Sequence, residues 1–306
     1  MRPDRALVGL FILGILVAGG IGLLRTGVYG WTVFILIPVF LGGLATWFFH
    51  PSSAGRAALL GMLSVAAASG SFLILGIEGL ICILMSLPLA LPLGALGGYL
   101  VYHAQNSRLA TRGGVAMLLL LPSGSVAWDA HAQPPVFQVR STIIIAAPPE
   151  QVWKHVVSFS ELPEPGEWFF RAGLAYPKRA RIEGSGAGAV RYCEFSTGPF
   201  VEPIEIWNQP RLLRFRVTGN PAPMHEWSPY AHVLPKHLHG YLISRQGEFR
   251  LIELPDHRTE LQGTTWYQHG LWPAEYWRWW SDSIIHRIHL RVLNHIRRLA
   301  EAHGDD

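Results

Sequence analysis

The fold is decided by the stretch PAEYWRWWSDSIIHRIHLRVLNHIRRLAEAH, residues 273–303, which predicts one long helix. Pro273 suits the first turn of a helix, because the N–H that proline lacks would have no helical partner there. About 30 residues with a rise of 1.5 Å each span roughly 45 Å, so this helix needs a broad apolar surface to cover it. Its apolar stripe recurs at steps of three and four residues: Trp277, Trp280, Ile284, Ile288, Val292, Ile296 and Leu299.

Alternating, β-rich segments before this helix predict the surface that covers it. The first, residues 137–145, is followed by a short helix that opens at Pro148-Pro149. A Pro- and His-rich insertion, residues 220–240, interrupts the later segments. The order predicts an α+β soluble domain at residues 136–303, in which a curved antiparallel sheet grips the long C-terminal helix. The remaining predicted strands are residues 174–183, 187–197, 200–207, 212–218, 247–254 and 259–269.

Three segments of this domain carry a resemblance to a known superfamily. They are IIIAAPPEQVW (143–153), GAVRYCEFSTGPFVEPIEIW (188–207) and RTELQGTTWY (258–267), in that order along the chain. The domain resembles the helix-grip (SRPBCC) superfamily, which holds START-type lipid-transfer domains and polyketide cyclase/dehydrases. The resemblance implies a seven-stranded curved sheet wrapped on the last helix, with an apolar ligand cavity between them. Because the superfamily is functionally mixed, fold alone leaves the activity open.

The N-terminal part of the chain has a different composition. Hydrophobic residues make up 50% of the sequence and charged residues only 15%, and the shortage of charge lies before residue 133. Uncharged runs at residues 6–24, 29–49, 57–77 and 79–102 are long enough to cross a bilayer, and 115–128 is a weaker fifth candidate. We therefore predict an all-α transmembrane region at residues 1–132 with four or five helices. The charged residues of this part are Arg2, Asp4, Arg5, Arg25, Arg56, Glu78, Arg108, Arg112 and Asp129.

The basic residues of the loops predict an orientation. They lie before the first run, after the second and after the fourth, which places the N-terminus in the cytoplasm. If the fifth segment crosses, the soluble domain lies on the outer face of the inner or plasma membrane; otherwise it is cytoplasmic. Crossing is favoured by Arg112 before the segment and Trp128-Asp129 after it. Glu78 is expected in a loop between spans, and the glycines of the spans are expected to allow close helix packing.

The inward face of the sheet follows from alternation, because neighbouring side chains on a strand point to opposite faces. The apolar residues of each strand must face the helix. Every second residue of a strand lies on the same face, so a few polar residues at these positions also point inward. Arg191 and Glu202 lie on adjacent predicted strands and are expected to pair, since a buried Arg needs a carboxylate. The pair is compatible with a structural role or with Arg191 meeting the polar head of a ligand. The candidate ligand-binding residues are Arg191, Cys193, Glu202, Phe215, Phe249, Thr265, Tyr267, His269, Trp280, Ile284 and Ile288.

The histidines of the sequence are weighed separately. His237 and His239 lie in the insertion, which has no zinc-type ligand spacing, so we expect a solvated loop, no metal site and no cofactor. On the long helix, we expect Ile284 and Ile288, rather than His286 or His289, to face the sheet. We expect His286 to make a surface contact with Asp282, which lies one turn away. The chain contains no nucleophile elbow, phosphate loop or dinucleotide motif.

Three hypotheses for function remain open. The first is a membrane-anchored domain that binds a lipid or another hydrophobic small molecule. The second, implied by the resemblance, is a polyketide cyclase/dehydrase-like enzyme that uses Tyr267, His269, Arg191 and Glu202 for acid–base chemistry. The third is a domain that docks an unknown protein partner and holds no ligand. The net charge of +4 is spread out without a dense basic run, so we expect no nucleic-acid partner.

Overall fold

A computed structural model describes residues 14, 18–25, 27–106, 125–126, 128–129, 131–230 and 235–302 of the chain. The chain forms two compact units. The first unit consists of Met1–Gln133, Glu226–His237 and Leu271–Pro273. The second consists of Pro134–His225, Leu238–Gly270 and Ala274–Asp306.

The described part of the first unit is mainly helical. A π-helical turn, Thr32–Leu36, leads into α1 (Ile37–Phe49), which is followed by α2 (Ala54–Ile74) and α3 (Leu80–Asn106). Their apolar spans are 18, 21 and 26 residues long, enough to cross a membrane. The second, third and fourth predicted spans are thus confirmed as long apolar helices and support a membrane association. The first and fifth predicted spans lie largely outside the described residues.

Glycines bring the backbones of these three helices together. A Cβ built on Gly42 would lie 1.9 Å from the carbonyl oxygen of Gly94, and one built on Gly61 would lie 2.1 Å from the same oxygen. A Cβ on Gly98 would lie 2.3 Å from the carbonyl oxygen of Ala57. The predicted close packing is therefore confirmed at Gly94 and Gly98. At Gly70 an added Cβ would meet no described atom within 4 Å.

The second unit contains a seven-stranded sheet in which every neighbouring pair of strands is antiparallel. The spatial order of the strands is β1-β7-β6-β5-β4-β3-β2, so the first and last strands of the chain are neighbours. Register shifts in β2, β4 and β6 interrupt the pairing, and such bulges bend a sheet. The strands are β1 (Val136–Ile145), β2 (Pro177–Glu183), β3 (Val190–Phe195), β4 (Gly198–Asn208), β5 (Leu212–Arg216), β6 (Leu242–Leu254) and β7 (Arg258–His269).

Three α-helices belong to this unit: α4 (Pro149–Val157), α5 (Trp168–Arg171) and α6 (Ala274–Glu301). The long helix predicted from residue 273 is α6, which lies against β1 and β7. Its C-terminal half contributes Val292, Leu293 and Ile296 to the main hydrophobic core, together with Val152 of α4 and Leu261 of β7. The predicted α+β class, with a curved sheet gripping the last helix, is confirmed.

Several predicted strand boundaries differ from those observed, and the starts of β6 and β2 have a clear structural cause. β6 begins at Leu242 rather than 247, because residues 242–246 pair with β7, and no local alternation signals that pairing. β2 begins at Pro177 rather than 174, since Leu174 instead makes an isolated bridge to Met224. Both differences arise from long-range pairing with segments that a local pattern does not identify.

Candidate functional site between the sheet and α6

The inward faces of β5, β6 and β7 carry the side chains that the alternation predicts. Leu213, Phe215 and Leu261 are buried, and Phe249 and Thr265 on the same concave side are half-buried. The strands are therefore in the predicted register, because a slip of one residue would have exchanged these side chains with their polar neighbours.

Burial along α6 is uneven. In its C-terminal half, Leu293, Ile296 and Ala300 are fully buried. In its N-terminal half, Ile284 and Ile288 are half-buried and lie outside the main hydrophobic core of the described residues. Trp277 and Ile285 of this same half are buried, so burial there depends on the side of the helix.

Arg191 of β3 and Glu202 of β4 form the buried ion pair that the sequence predicts. The Arg191 side chain is 2% exposed and its Nε also donates to the carbonyl of Val157 at 3.2 Å. Its guanidinium lies 5.5 Å from the ring centres of Phe215 and Phe249, within range of a cation–π attraction. Aromatic rings and a carboxylate therefore occupy the surroundings of this charge.

Cys193 lies next to this pair on the same face of β3 and is buried. Burial raises the pKa of its thiol to about 12, and the charge of Glu202 adds to the effect. The thiol is protonated at neutral pH, so it is a poor nucleophile.

Tyr267 of β7 reaches across to α6. Its hydroxyl donates to Asp282 Oδ1 at 2.5 Å, and Arg278 Nε donates to Asp282 Oδ2 at 3.1 Å. Burial raises the pKa of Tyr267, and the hydrogen bond to the carboxylate raises it further, so this phenol is a weak acid. The prediction that Asp282 pairs with His286 is wrong, because Asp282 faces the sheet and accepts from Tyr267 and Arg278.

His286 and His289 of α6 form a polar cluster with Ser141 of β1. Ser141 Oγ lies 2.7 Å from His286 Nδ1 and 3.1 Å from His289 Nδ1, and Thr265 Oγ1 lies 2.7 Å from His289 Nε2. Ser141 was not among the residues predicted from the sequence, which favoured Ile284 and Ile288 over these histidines for the inward side of α6. Both histidines nevertheless reach the sheet, since they contact Ser141 of β1, and His289 also contacts Thr265 of β7.

His289 is the titratable group that this environment changes most clearly. Its removal from water, followed by the repulsion of His286, lowers its pKa to about 4. His289 is therefore a neutral imidazole at neutral pH, and His286, which is exposed, connects the cluster to solvent. A half-buried, neutral imidazole between two hydroxyls is able to accept or relay a proton.

His269 ends the inward face of β7. It is 1% exposed and its ring stacks on Phe137 with centroids 5.1 Å apart. Its surroundings are those of a core residue at the β1–β7 edge.

The predicted ligand residues are thus divided between two environments. Arg191 and Glu202 form an ion pair, and Thr265 and Tyr267 lie on the same face of β7. His269 instead lies against Phe137 of β1. The buried members are Arg191, Cys193, Glu202, Phe215, Tyr267 and His269, and the half-buried members are Phe249, Thr265, Trp280, Ile284 and Ile288.

An open groove of about 450 Å³ lies elsewhere on this unit, where α4, β2 and the end of α6 meet. Its lining includes Phe159, Ile182 and Leu299. The volume is within the range of small-molecule sites, but none of the predicted ligand residues lines it.

Comparison with known proteins relates the second unit to a described family. Residues 136–263, from β1 to the middle of β7, match the family described as "Polyketide cyclase / dehydrase and lipid transport". No curated protein matches the chain.

Several solved structures are similar to the chain. Norcoclaurine synthase from Thalictrum flavum is 10% identical, with a TM-score of 0.35 over 55% of this chain and 96% of that one. The Zhui aromatase/cyclase from Streptomyces sp. R1128 is 17% identical, with a TM-score of 0.32 over 55% and 94%. A protein from Nitrosospira multiformis is 14% identical, with a TM-score of 0.34 over 53% and 94%. The second unit therefore has a helix-grip fold, and its residues 136–263 match the model of the polyketide cyclase / dehydrase and lipid transport family, in a chain that also carries long apolar helices.

Proposed function

We propose that this chain is a membrane-anchored protein whose helix-grip domain binds a lipid or another hydrophobic small molecule between the sheet and the N-terminal half of α6. The observation that carries the proposal is the uneven burial along α6: Ile284 and Ile288 are half-buried, whereas Leu293 and Ile296 are fully buried. Half-buried apolar side chains next to a few polar groups are typical of the lining of a ligand site.

The polar groups at this end suggest what the ligand looks like. Thr265 is half-buried and hydrogen-bonded to the neutral His289, so it offers a hydroxyl rather than a charge. Arg191, which the sequence analysis considered as the partner of a ligand head, is already neutralised by Glu202. The arrangement therefore favours an apolar molecule with an uncharged polar end, such as a hydroxyl or a carbonyl, over an anionic lipid head.

The membrane part of the proposal rests on the three apolar helices α1, α2 and α3. They would anchor the domain in the inner or plasma membrane, the compartment from which a hydrophobic ligand is drawn. The alternation of basic loops predicts a cytoplasmic N-terminus and a domain from Val136 on the outer face.

A reporter fused after Asp306 should be active only outside the cytoplasm, and cytoplasmic activity would contradict this orientation.

Substitution of Ile284 by Trp tests the pocket. If the space is a binding site, Trp fills the volume that the ligand uses, so the co-purified molecule should be lost with little change in stability. Native mass spectrometry of the detergent-solubilised protein, with a thermal melt of the same sample, measures both. Ile144→Trp is the matched control, because Ile144 lies on the outer face of β1 and is 51% exposed.

A close-packed core predicts the opposite outcome. Trp at position 284 would then overpack the interior at a cost of roughly 1–3 kcal/mol, with a lower melting temperature than Ile144→Trp. That result, combined with no ligand in the parent protein, would exclude ligand binding and leave a partner-docking domain.

The neutral His289 supports a second candidate function, acid–base catalysis on a carbonyl compound. Its pKa of about 4 makes it a base that is unprotonated at neutral pH, in contact with Thr265 and Ser141. The molecules retained by the parent protein and by His289→Gln distinguish the two functions. A difference in mass between them indicates chemistry, and the same mass in both indicates binding alone.

A further inference from the structure

A second polar cluster lies in the first unit, at the N-terminus of α3. It is formed by Cys82, Glu226 and His237, whose candidate ligand atoms all lie within 4.8 Å of one another. Cys82 Sγ is 2.7 Å and Glu226 Oε1 is 3.7 Å from His237 Nε2. The side chains of His237 and Glu226 are 6% and 1% exposed. The insertion was expected to be a solvated loop. This expectation is wrong at Glu226 and His237, whose side chains are buried.

The other nitrogen of His237 faces a carboxylate. Nδ1 lies 3.3 Å from Oε2 of Glu78, and the Tyr29 hydroxyl donates to Oε1 of the same side chain at 2.6 Å. Glu78 lies in the loop before α3, as predicted, but its side chain is only 8% exposed. Within the described part of the chain, no hydrogen bond reaches its Oε2. This carboxylate is positioned to hold the imidazole with Nε2 directed at Cys82 and Glu226.

Glu226 is fixed by the backbone at the start of α3. Its Oε2 accepts from the N–H of Ile81 at 3.0 Å, and its Oε1 accepts from the N–H of Cys82 at 3.1 Å. Gly79 leaves room for it, since a Cβ there would lie 2.1 Å from Oε2. These contacts hold the carboxylate beside the thiol and the imidazole before any ligand arrives.

We propose that Cys82, Glu226 and His237 bind a zinc ion, with a fourth position open to water or an exchangeable ligand. A thiolate, an imidazole and a carboxylate are the donors that zinc prefers, whereas calcium and magnesium take oxygen ligands. Glu78 supplies the carboxylate that characteristically orients a zinc-bound histidine through its other nitrogen. The ion would tie Glu226 and His237 to the start of α3.

Zinc binding requires one small rearrangement. Bonds of about 2.3 Å to sulfur and about 2.0 Å to nitrogen in a tetrahedron separate the two atoms by roughly 3.5 Å. The 2.7 Å between Cys82 Sγ and His237 Nε2 must therefore widen by about 0.8 Å, which rotation of the Cys82 side chain provides. The thiol releases its proton to solvent as the metal–sulfur bond forms.

Elemental analysis of the full-length protein, purified in detergent and incubated with zinc sulfate, provides the first test. We expect one zinc ion per chain after removal of excess metal. Replacement by cobalt should give a thiolate-to-cobalt charge-transfer absorption, which reports a metal–sulfur bond directly and needs no variant. A protein that binds neither metal would overturn the proposal and leave a capped helix with a thiol–imidazole hydrogen bond.

Variants then assign the ligands. Cys82→Ser should abolish the charge-transfer absorption, His237→Ala should abolish stoichiometric zinc binding, and Glu78→Gln should weaken it by about 10–100-fold. Cys193→Ser and His239→Ala are the matched controls, since Cys193 lies in the second unit and His239 is exposed, and both should bind like the parent. Cobalt absorption that survives Cys82→Ser, or disappears in Cys193→Ser, would refute the assignment.

Discussion

Replacing Arg191 with Ala should lower the free energy of unfolding of the helix-grip unit by about 3–5 kcal/mol. The reason is that Glu202, whose side chain is 8% exposed, would be left as an unpaired buried charge. Arg191 also packs against Phe159, Phe215 and Phe249, so its removal opens a space as well. Hydrogen exchange of the β3 and β4 amides in the intact, detergent-solubilised protein measures this loss, because exchange from core strands reports global opening.

A double-mutant cycle separates the pair from its surroundings. Arg191→Ala/Glu202→Ala should cost less than the sum of the two single changes, because removal of both charges leaves neither of them unpaired. Arg179→Ala is the control: this residue pairs with Glu194 on the surface with its side chain 54% exposed, and its loss should cost about 0–1 kcal/mol. Additive effects at 191 and 202 would show that the two side chains do not interact.

Replacing Gly94 with Ala should destabilise the helical unit by about 1–3 kcal/mol or more. A Cβ at this position would lie 2.6 Å from Val65 Cγ2 and 2.7 Å from the carbonyl oxygen of Gly61. The overlap cannot be relieved by a side-chain rotation alone, since one of the two atoms belongs to the backbone of α2. Thermal melting of the detergent-solubilised protein, followed by helical circular dichroism, should show a lower midpoint.

Gly70→Ala provides the comparison for this change. Gly70 lies in α2, where an added Cβ meets no described atom within 4 Å, so the variant should be unchanged or stabilised by up to about 1 kcal/mol through the higher helix propensity of Ala. Equal melting points for the two variants would mean that α2 and α3 do not pack through Gly94.

Much of the candidate site could be predicted because it depends on local periodicity. Alternation along residues 212–217 and 259–269 placed Phe215, Thr265 and Tyr267 on the inward face, where the structure has them. The same parity argument brought Arg191 and Glu202 together, since a short turn between two strands leaves few ways to pair them.

The contacts between α6 and the sheet could not be predicted from local periodicity. Its hydrophobic stripe predicted a helix with Ile284 and Ile288 turned inward, but it did not predict that His286 and His289 reach the sheet. Those contacts depend on how the whole helix packs on β1 and β7, which brings Ser141 of β1 to both histidines.

The sequence by itself determined the apolar helices, the order and faces of the strands and the long last helix. These follow from periodic patterns, which each segment carries on its own, and the helix-grip class was implied by the resemblance of three segments to a known superfamily. Only the tertiary structure decided the contacts of α6 with Ser141, the extension of β6 to Leu242 and the cluster of Cys82 with Glu226 and His237, whose members lie up to 155 positions apart. No local pattern specifies such contacts. They form when segments that are distant in the sequence become buried together and their polar groups form hydrogen bonds with one another.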